Sequence, residues 1–231
     1  MEMWTPLESN PEVLTRLAHK VGVPEEWVVS DVFSLDPELL SMIPKPVAAL
    51  ILLLPAGIPR PDLTGDLILP EKQPRVFFMT QSVYNSCGTI ALIHAVANSD
   101  IDVPRESPLG SIIHGTQDMS PLERGASLEA VEQLSEAHRE TSQEGQTAAP
   151  DPQAGSLLHF VAFVHREGRL YELDGMRSGL VDHGESSSVN FLSDAAVVCR
   201  RILDANPDEN RFSILAITGQ EGGESEKIHD S

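Results

Sequence analysis

The segment Gln81-Ser-Val-Tyr-Asn-Ser-Cys87-Gly-Thr-Ile-Ala-Leu-Ile-His-Ala-Val-Ala-Asn98 changes character at its middle. It begins polar and turn-like. From Cys87 it becomes an apolar, Ala-rich helical run, with Ile90, Ile93, His94 and Ala97 three and four residues apart. Asn85 and Ser86 are cap-type residues just before that run. Cys87 is therefore expected in the first helical turn, where free N–H groups and the positive end of the helix dipole face the sulfur. A thiolate, the nucleophilic form of cysteine, is favoured in such a place. Gly88 beside it is expected to keep the approach to the sulfur clear. The competing reading is a buried cysteine packed as a small hydrophobe.

Two later stretches weigh against that alternative. Leu157-Leu-His159-Phe-Val-Ala-Phe-Val164 reads as a buried strand carrying one imidazole. Leu170-Tyr-Glu-Leu-Asp174-Gly175 reads as a second strand that ends in a carboxylate at a turn, and Gly168 between them suggests a tight hairpin. On adjacent strands His159 and Asp174 can be neighbours, although spacing alone does not bring them together. A Cys at a helix start, a His on a strand and an Asp on the next are the parts of a thiol hydrolase. The His ionises the Cys and protonates the leaving group, and the Asp fixes the imidazole tautomer. A thiol acyltransferase could use the same trio with an acyl donor, but no cofactor motif is visible.

At these residues the chain resembles the ubiquitin carboxyl-terminal hydrolases, the UCH class of cysteine peptidases (family C12). Gln81 to Asn98 is similar to that family's active-site segment nearly throughout, and His159-Phe and Leu170-Tyr-Glu-Leu-Asp174-Gly are similar to its other two. The resemblance runs from about Pro6 to Ile217 and includes Asp36-Pro-Glu-Leu-Leu-Ser-Met-Ile-Pro44 and Met119-Ser-Pro-Leu-Glu-Arg124. It points to the short, single-domain isozymes, with an N-terminal segment most similar to the isozyme L three branch. It implies Cys87, His159 and Asp174 as the triad and Gln81 as the donor to the oxyanion; on spacing alone Gln81 reads as a surface polar residue. It also implies a crossover loop over the active site, matching Thr141 to Gly155 and including Gln143, Glu144, Gly145, Gln146, Pro150 and Asp151. Such a loop limits the adducts that reach the Cys to small or unfolded ones. The implied partner is ubiquitin, with the ubiquitin-like NEDD8 a possible second, and a monomer is expected. A catalytically dormant ubiquitin-binding module is the alternative of a different class.

Composition sets bounds. The chain has 231 residues, 41% of them hydrophobic, which is enough for one sizeable core. Its longest apolar run, Val47 to Leu54, has the length of a buried strand and falls far short of the roughly 20 residues that span a bilayer. No basic-then-apolar leader precedes Pro6. Two cysteines, Cys87 and Cys199, make neither a disulfide framework nor a Cys-rich zinc site, and suit a reducing, cytoplasmic setting. A net charge of −19 argues against nucleic acid and anionic membranes. It favours a basic partner, in keeping with ubiquitin's basic binding face and arginine-bearing tail. No cofactor and no metal are expected.

Along the chain, Pro11 to Val21 has the pattern of an amphipathic helix stopped by Gly22. Trp27 to Phe33 reads as a strand, with Trp27 and Phe33 mostly in the core. Asp36 caps a short helix to Met42, and Val47 to Leu54 is a central strand buried on both faces. Pro55 to Pro74 reads as loop, and Arg75 to Met79 as a short strand delivering Gln81. Asn98 to Thr116 reads as irregular. Ser120-Pro-Leu-Glu is a capping box opening a helix that runs to about Arg139. Thr141 to Gly155 and Ser178 to Ser188 read as loops; within the latter Asp182 stands where the family usually has Asn. Phe191 to Leu203 reads as a helix with an inert, buried Cys199, and Arg211 to Ile217 as the last strand. His19, His138 and His229 read as surface, and His94 lies two turns from Cys87, too far to be its base. The expected fold is α+β and papain-like. A central antiparallel sheet of the Val47, His159, Leu170 and Phe212 strands is flanked by helices, and the resemblance implies a knotted backbone. Residues 1–218 form one catalytic domain and 219–231 an acidic tail without structure of its own.

Overall fold

The computed structural model describes residues 3–58, 60, 66–69, 75–146 and 157–220. The apolar run that anchors it is β2 (Val47–Pro55), with Leu50, Leu52 and Leu54 on one face and Ala49, Ile51 and Leu53 on the other, all buried. A strand so apolar on both faces must lie inside a sheet with helices on each side. Around it run β1 (Trp27–Asp31), β3 (Asp66–Ile68), β4 (Leu158–Arg166), β5 (Arg169–Leu173), β6 (Leu180–Glu185) and β7 (Ser213–Gly219). They form one sheet in the order β1-β7-β2-β4-β5-β6-β3, and every neighbouring pair is antiparallel.

Among the described residues seven α-helices flank the sheet: α1 (Pro11–Val21), α2 (Pro37–Leu40), α3 (Cys87–Ala97), α4 (Pro108–Gly115), α5 (Pro121–Ser127), α6 (Glu132–Thr141) and α7 (Phe191–Asp204). One face of the sheet packs with α1, α3 and α6 around Ala49, Ile51 and Leu53. The other packs with α2 and α7 around Leu50, Leu52 and Leu54. Truncating any one of these buried leucines would cost roughly 2–5 kcal/mol. α1 follows its sequence signals closely. Asn10 Oδ1 accepts from the N–H of Glu12 at 2.9 Å and of Val13 at 3.4 Å, and Gly22 ends the helix at φ 110°.

Several expectations are corrected. The Pro55–Pro74 loop contains β3, and the Ser178–Ser188 loop contains β6, which pairs β5 with β3. The stretch from Asn98 to Thr116 holds α4, which starts at Pro108 and is capped by Ser107 Oγ on Gly110 N–H at 3.0 Å. The helix opened at Ser120 keeps its capping box but does not run through to Arg139; a 3₁₀ turn, Leu128–Ala130, separates α5 from α6. Phe33 is 92% exposed rather than core, because β1 ends at Asp31 and Val32, not Phe33, turns inward. Asp36 makes no side-chain cap on α2. Gly219 belongs to β7, so the tail begins later than expected; 221–231 lie outside the described residues.

Arg75 to Met79 is not a strand. Side chains of α3 take the place of a neighbouring strand. Asn98 Oδ1 accepts from Phe77 N–H at 2.7 Å, and Asn98 Nδ2 donates to Phe77 O at 2.9 Å. His94 Nε2 accepts from Met79 N–H at 3.1 Å. The segment is thus stapled to the helix that begins at Cys87, and it carries Gln81 to the turn after β5.

Candidate active site

Cys87 opens α3 and is 7% exposed. The two expected cap residues act differently. Ser86 makes no side-chain cap, and its hydroxyl donates to Val83 O at 2.8 Å. Asn85 adopts φ 63° and donates from Nδ2 to Trp4 O at 2.8 Å, tying the loop before the nucleophile to the N-terminal segment. Gly88 also has another duty. A Cβ there would lie 2.9 Å from Leu7 Cδ1 and 3.4 Å from Phe160 Cδ2, so its lack of a side chain lets α3 settle onto the sheet.

The hairpin expected between β4 and β5 is present. Glu167 at φ 49° and Gly168 at φ 77° form a two-residue turn between the paired Arg166 and Arg169. His159 is near the start of β4 and Asp174 just beyond the end of β5, so antiparallel pairing brings them to one end of the sheet. His159 Nε2 and Asp174 Oδ1 are 2.6 Å apart, and Cys87 lies close enough to act on the His159 imidazole. With Nε2 engaged by the carboxylate, Nδ1 is left for the thiol. Burial acts to lower the His159 pKa, but the bonds to Asp174 and Cys87 outweigh it and raise the value to about 9. For Asp174 burial acts upward, but the His159 bond and the nearby Arg60 charge win and hold the carboxyl below its ordinary range. The Cys is therefore both buried and faced by an imidazole, which the hydrophobe reading does not require.

Gln81 is tied to the same turn. Its N–H donates to Gly175 O at 2.7 Å, and a Cβ on Gly175 would lie 3.3 Å from Gln81 Cβ. The side chain donates from Nε2 to Val83 O at 3.2 Å, and its Oε1 is buried without a partner.

Comparison with known proteins gives the family and the fold. The model of ubiquitin carboxyl-terminal hydrolase family 1 matches residues 4–204. The chain belongs to that family. A ubiquitin carboxyl-terminal hydrolase of Drosophila melanogaster is 44% identical over 225 residues, which cover 94% of this chain and 98% of that protein. Isozyme L1 of Homo sapiens is 39% identical over 218 residues, covering 92% and 96%. Among solved structures, the catalytic domain of Trichinella spiralis UCH37 bound to ubiquitin vinyl methyl ester shares the fold with a TM-score of 0.74 at 23% identity, over 95% of this chain and 96% of that one. The protein is a cysteine-type ubiquitinyl hydrolase with the papain-like fold of the family.

The segment expected to form a crossover loop, Thr141 to Gly155, is only partly within the described residues. Thr141 is the last residue of α6 and is buried rather than in a loop. Glu144 pairs with Arg16 at 2.6 Å and Lys20 at 3.4 Å, so the segment through Gln143, Gly145 and Gln146 leaves α6 held against α1. Pro150 and Asp151 lie outside the described residues. Asp182 accepts from Arg169 Nε at 2.7 Å and so braces β6 against β5.

Among the histidines the surface reading fails for His138. It is buried on α6, with Nδ1 2.7 Å from Thr89 Oγ1 and Nε2 donating to Thr5 O at 2.7 Å. His19 is half-buried with Nε2 2.8 Å from Trp27 O, and His229 lies outside the described residues. Cys199 is fully buried, and burial pushes its thiol pKa up. No helix among the described residues is long and apolar enough to cross a membrane.

Three residues near the site were not read from the sequence. Arg60 reaches Glu172 Oε1 at 2.7 Å and Asp174 Oδ2 at 3.0 Å, and Glu172 Oε2 lies 3.0 Å from His183 Nε2. Glu172 was a legible signal. A carboxylate between Tyr171 and Leu173 in a buried strand needs a cation, because an unpaired buried charge is prohibitive.

Proposed function

We propose that the enzyme hydrolyses small or unfolded adducts from the C-terminal glycine of ubiquitin through a Cys87–His159–Asp174 triad and a thioester intermediate. The observation that carries this is the contact of His159 with Cys87 at a helix start on one side and with Asp174 at 2.6 Å on the other. His159 takes the thiol proton, and the thiolate sulfur attacks the carbonyl carbon of the terminal glycine. The oxyanion so formed accepts from the Cys87 backbone N–H and from the second amide hydrogen of Gln81. The imidazolium gives its proton to the leaving amine or alcohol as the carbon–heteroatom bond breaks, leaving the acyl-thioester. Water then attacks with His159 as base, and sulfur leaves with the returned proton. Asp174 holds the ring through Nε2 throughout. The segment from Thr141 to Gly155 limits which adducts enter.

The catalytic domain is taken to extend through the end of β7 at Gly219, and ubiquitin is its partner. Its acidity suits ubiquitin's basic face. Turnover of a fluorogenic amide at the C-terminus of ubiquitin tests the proposal, with the matching NEDD8 amide alongside. Wild type is expected to cleave the ubiquitin amide, and Cys87→Ala to lose turnover while still binding ubiquitin. Ubiquitin binding without turnover in wild type would instead support a dormant module. Faster cleavage of the NEDD8 amide would reverse the substrate assignment.

A further inference from the structure

Glu172 is on β5 and Asp174 lies two residues on, just beyond its end, and one guanidinium reaches both carboxylates. Both are nearly fully buried. Two carboxylates so placed repel each other unless a cation lies between them. Arg60 is that cation, with a side chain 11% exposed, Nη1 2.7 Å from Glu172 and Nη2 3.0 Å from Asp174.

The hydrogen bonds of Asp174 show what the bridge does. Its Oδ1 already takes His159 Nε2 at 2.6 Å and the Met176 N–H at 2.9 Å. Rotation of the carboxylate about Cβ–Cγ is then set by the partner of Oδ2. Arg60 is within hydrogen-bond distance of that atom, whereas Arg177 is 3.6 Å away and 34% exposed. Arg60 cannot swing freely, because Glu172 holds its other nitrogen and is itself held by His183 at 3.0 Å. A guanidinium joins two carboxylates with its planar fork, and an ammonium offers no such geometry.

We infer that Arg60 is a positioning residue for the catalytic pair, fixing the Asp174 carboxylate, and through it the His159 ring, while Glu172 and His183 anchor Arg60 in turn. This rests on the Cys87–His159–Asp174 reading above. The titratable and charged groups around the bridge are His159 on β4, Glu172 on β5, Asp174 and Arg177 after it, and His183 on β6. Cys199 on α7 faces Glu172 and stays a neutral thiol.

The test compares wild type, Arg60→Met and Arg60→Lys. It measures turnover of the ubiquitin amide, ubiquitin affinity in a Cys87→Ala background, and the proton NMR signal of the His159–Asp174 hydrogen bond, which so short a bond places far downfield. For Arg60→Met, kcat is expected to fall roughly 10- to 100-fold. Its ubiquitin Kd should stay within about 2-fold, since its effect is on geometry rather than on binding. The downfield signal should be lost or moved. Arg60→Lys, which restores the charge without the fork, is expected to recover part of the signal and part of kcat. An unchanged kcat, a signal left in place, or a Kd that rises in step with the lost activity would overturn the inference. A folded fraction lowered by the substitution scales the signal without moving it. Full turnover in Asp174→Asn would instead remove the triad reading itself, whatever Arg60 does.

Discussion

Replacing Asn98 with Ala probes the element that sequence reading mistook for a strand. Asn98 satisfies both backbone groups of Phe77, accepting from its N–H at 2.7 Å and donating to its carbonyl at 2.9 Å, and it also donates to His94 O at 2.8 Å. Alanine leaves the two Phe77 groups buried and unpaired. Each orphaned group costs about 1–3 kcal/mol, so the loss is roughly 2–6 kcal/mol. For a domain of this size that lowers Tm by about 5–20 °C, a large share of a typical stability. Asn98→Asp sharpens the test. One carboxyl oxygen still accepts from Phe77 N–H, but the other faces two carbonyls and needs a proton to bond them. The folded state therefore raises the pKa of that carboxyl. The deficit relative to wild type should be small near pH 4 and grow as pH rises above the ordinary Asp value. Calorimetric melts of the three proteins at several pH values decide it. An Asn98→Ala melt within about 2 °C of wild type, or an Asp deficit that does not change with pH, would refute the reasoning.

Asp174→Asn should lower kcat by roughly 10³- to 10⁴-fold, because an amide can present the wrong group to Nε2, and Tm should change little by comparison; steady-state kinetics with a parallel melt checks both. His159 titrates near 9, above its ordinary 6.5, so the imidazolium that protonates the leaving group persists to that pH. kcat/KM should decline as pH rises through about 9, and the stabilisation from the His159–Asp174 pair, complete below about 6.5, should be lost over the same range. His94 and His138 are the reverse case, lowered by burial from 6.5 to about 4. Their contribution is present above about 6.5 and lost as pH falls through 4, at roughly 3 kcal/mol for each ring. Melts from pH 7 to 4 should show that decline, and replacing His138 with Gln should flatten part of it.

The sequence made legible whatever rested on strong local chemistry. Asn10, Pro11 and Gly22 marked both ends of α1, Gly168 marked the β4–β5 turn, and the Val47–Leu54 run declared a strand buried on both faces. Cys87, His159 and Asp174 were each legible, and their meeting needed the sheet to bring the start of β4 and the end of β5 to one edge. What was missed depends on distant partners. β6 carries Asp182, His183 and Gly184, a polar run that forms a strand because β3 and β5 flank it and Arg169 neutralises Asp182. His138 sits in a polar helix, yet Thr89 and the Thr5 carbonyl draw it inside. Arg60 lies in a Pro-rich stretch with no periodicity, and only β5 gives it a purpose.

The most direct test of the central claim is covalent capture by ubiquitin carrying a C-terminal thiol-reactive electrophile, read by intact mass on wild type, Cys87→Ala and Cys199→Ala. A single adduct on wild type and Cys199→Ala, and none on Cys87→Ala, is the result expected from a Cys87 that opens a helix beside His159 and a fully buried Cys199 whose thiol burial keeps neutral. Wild type that binds ubiquitin yet forms no adduct, or an adduct that survives in Cys87→Ala, would contradict the assignment of Cys87 as the nucleophile.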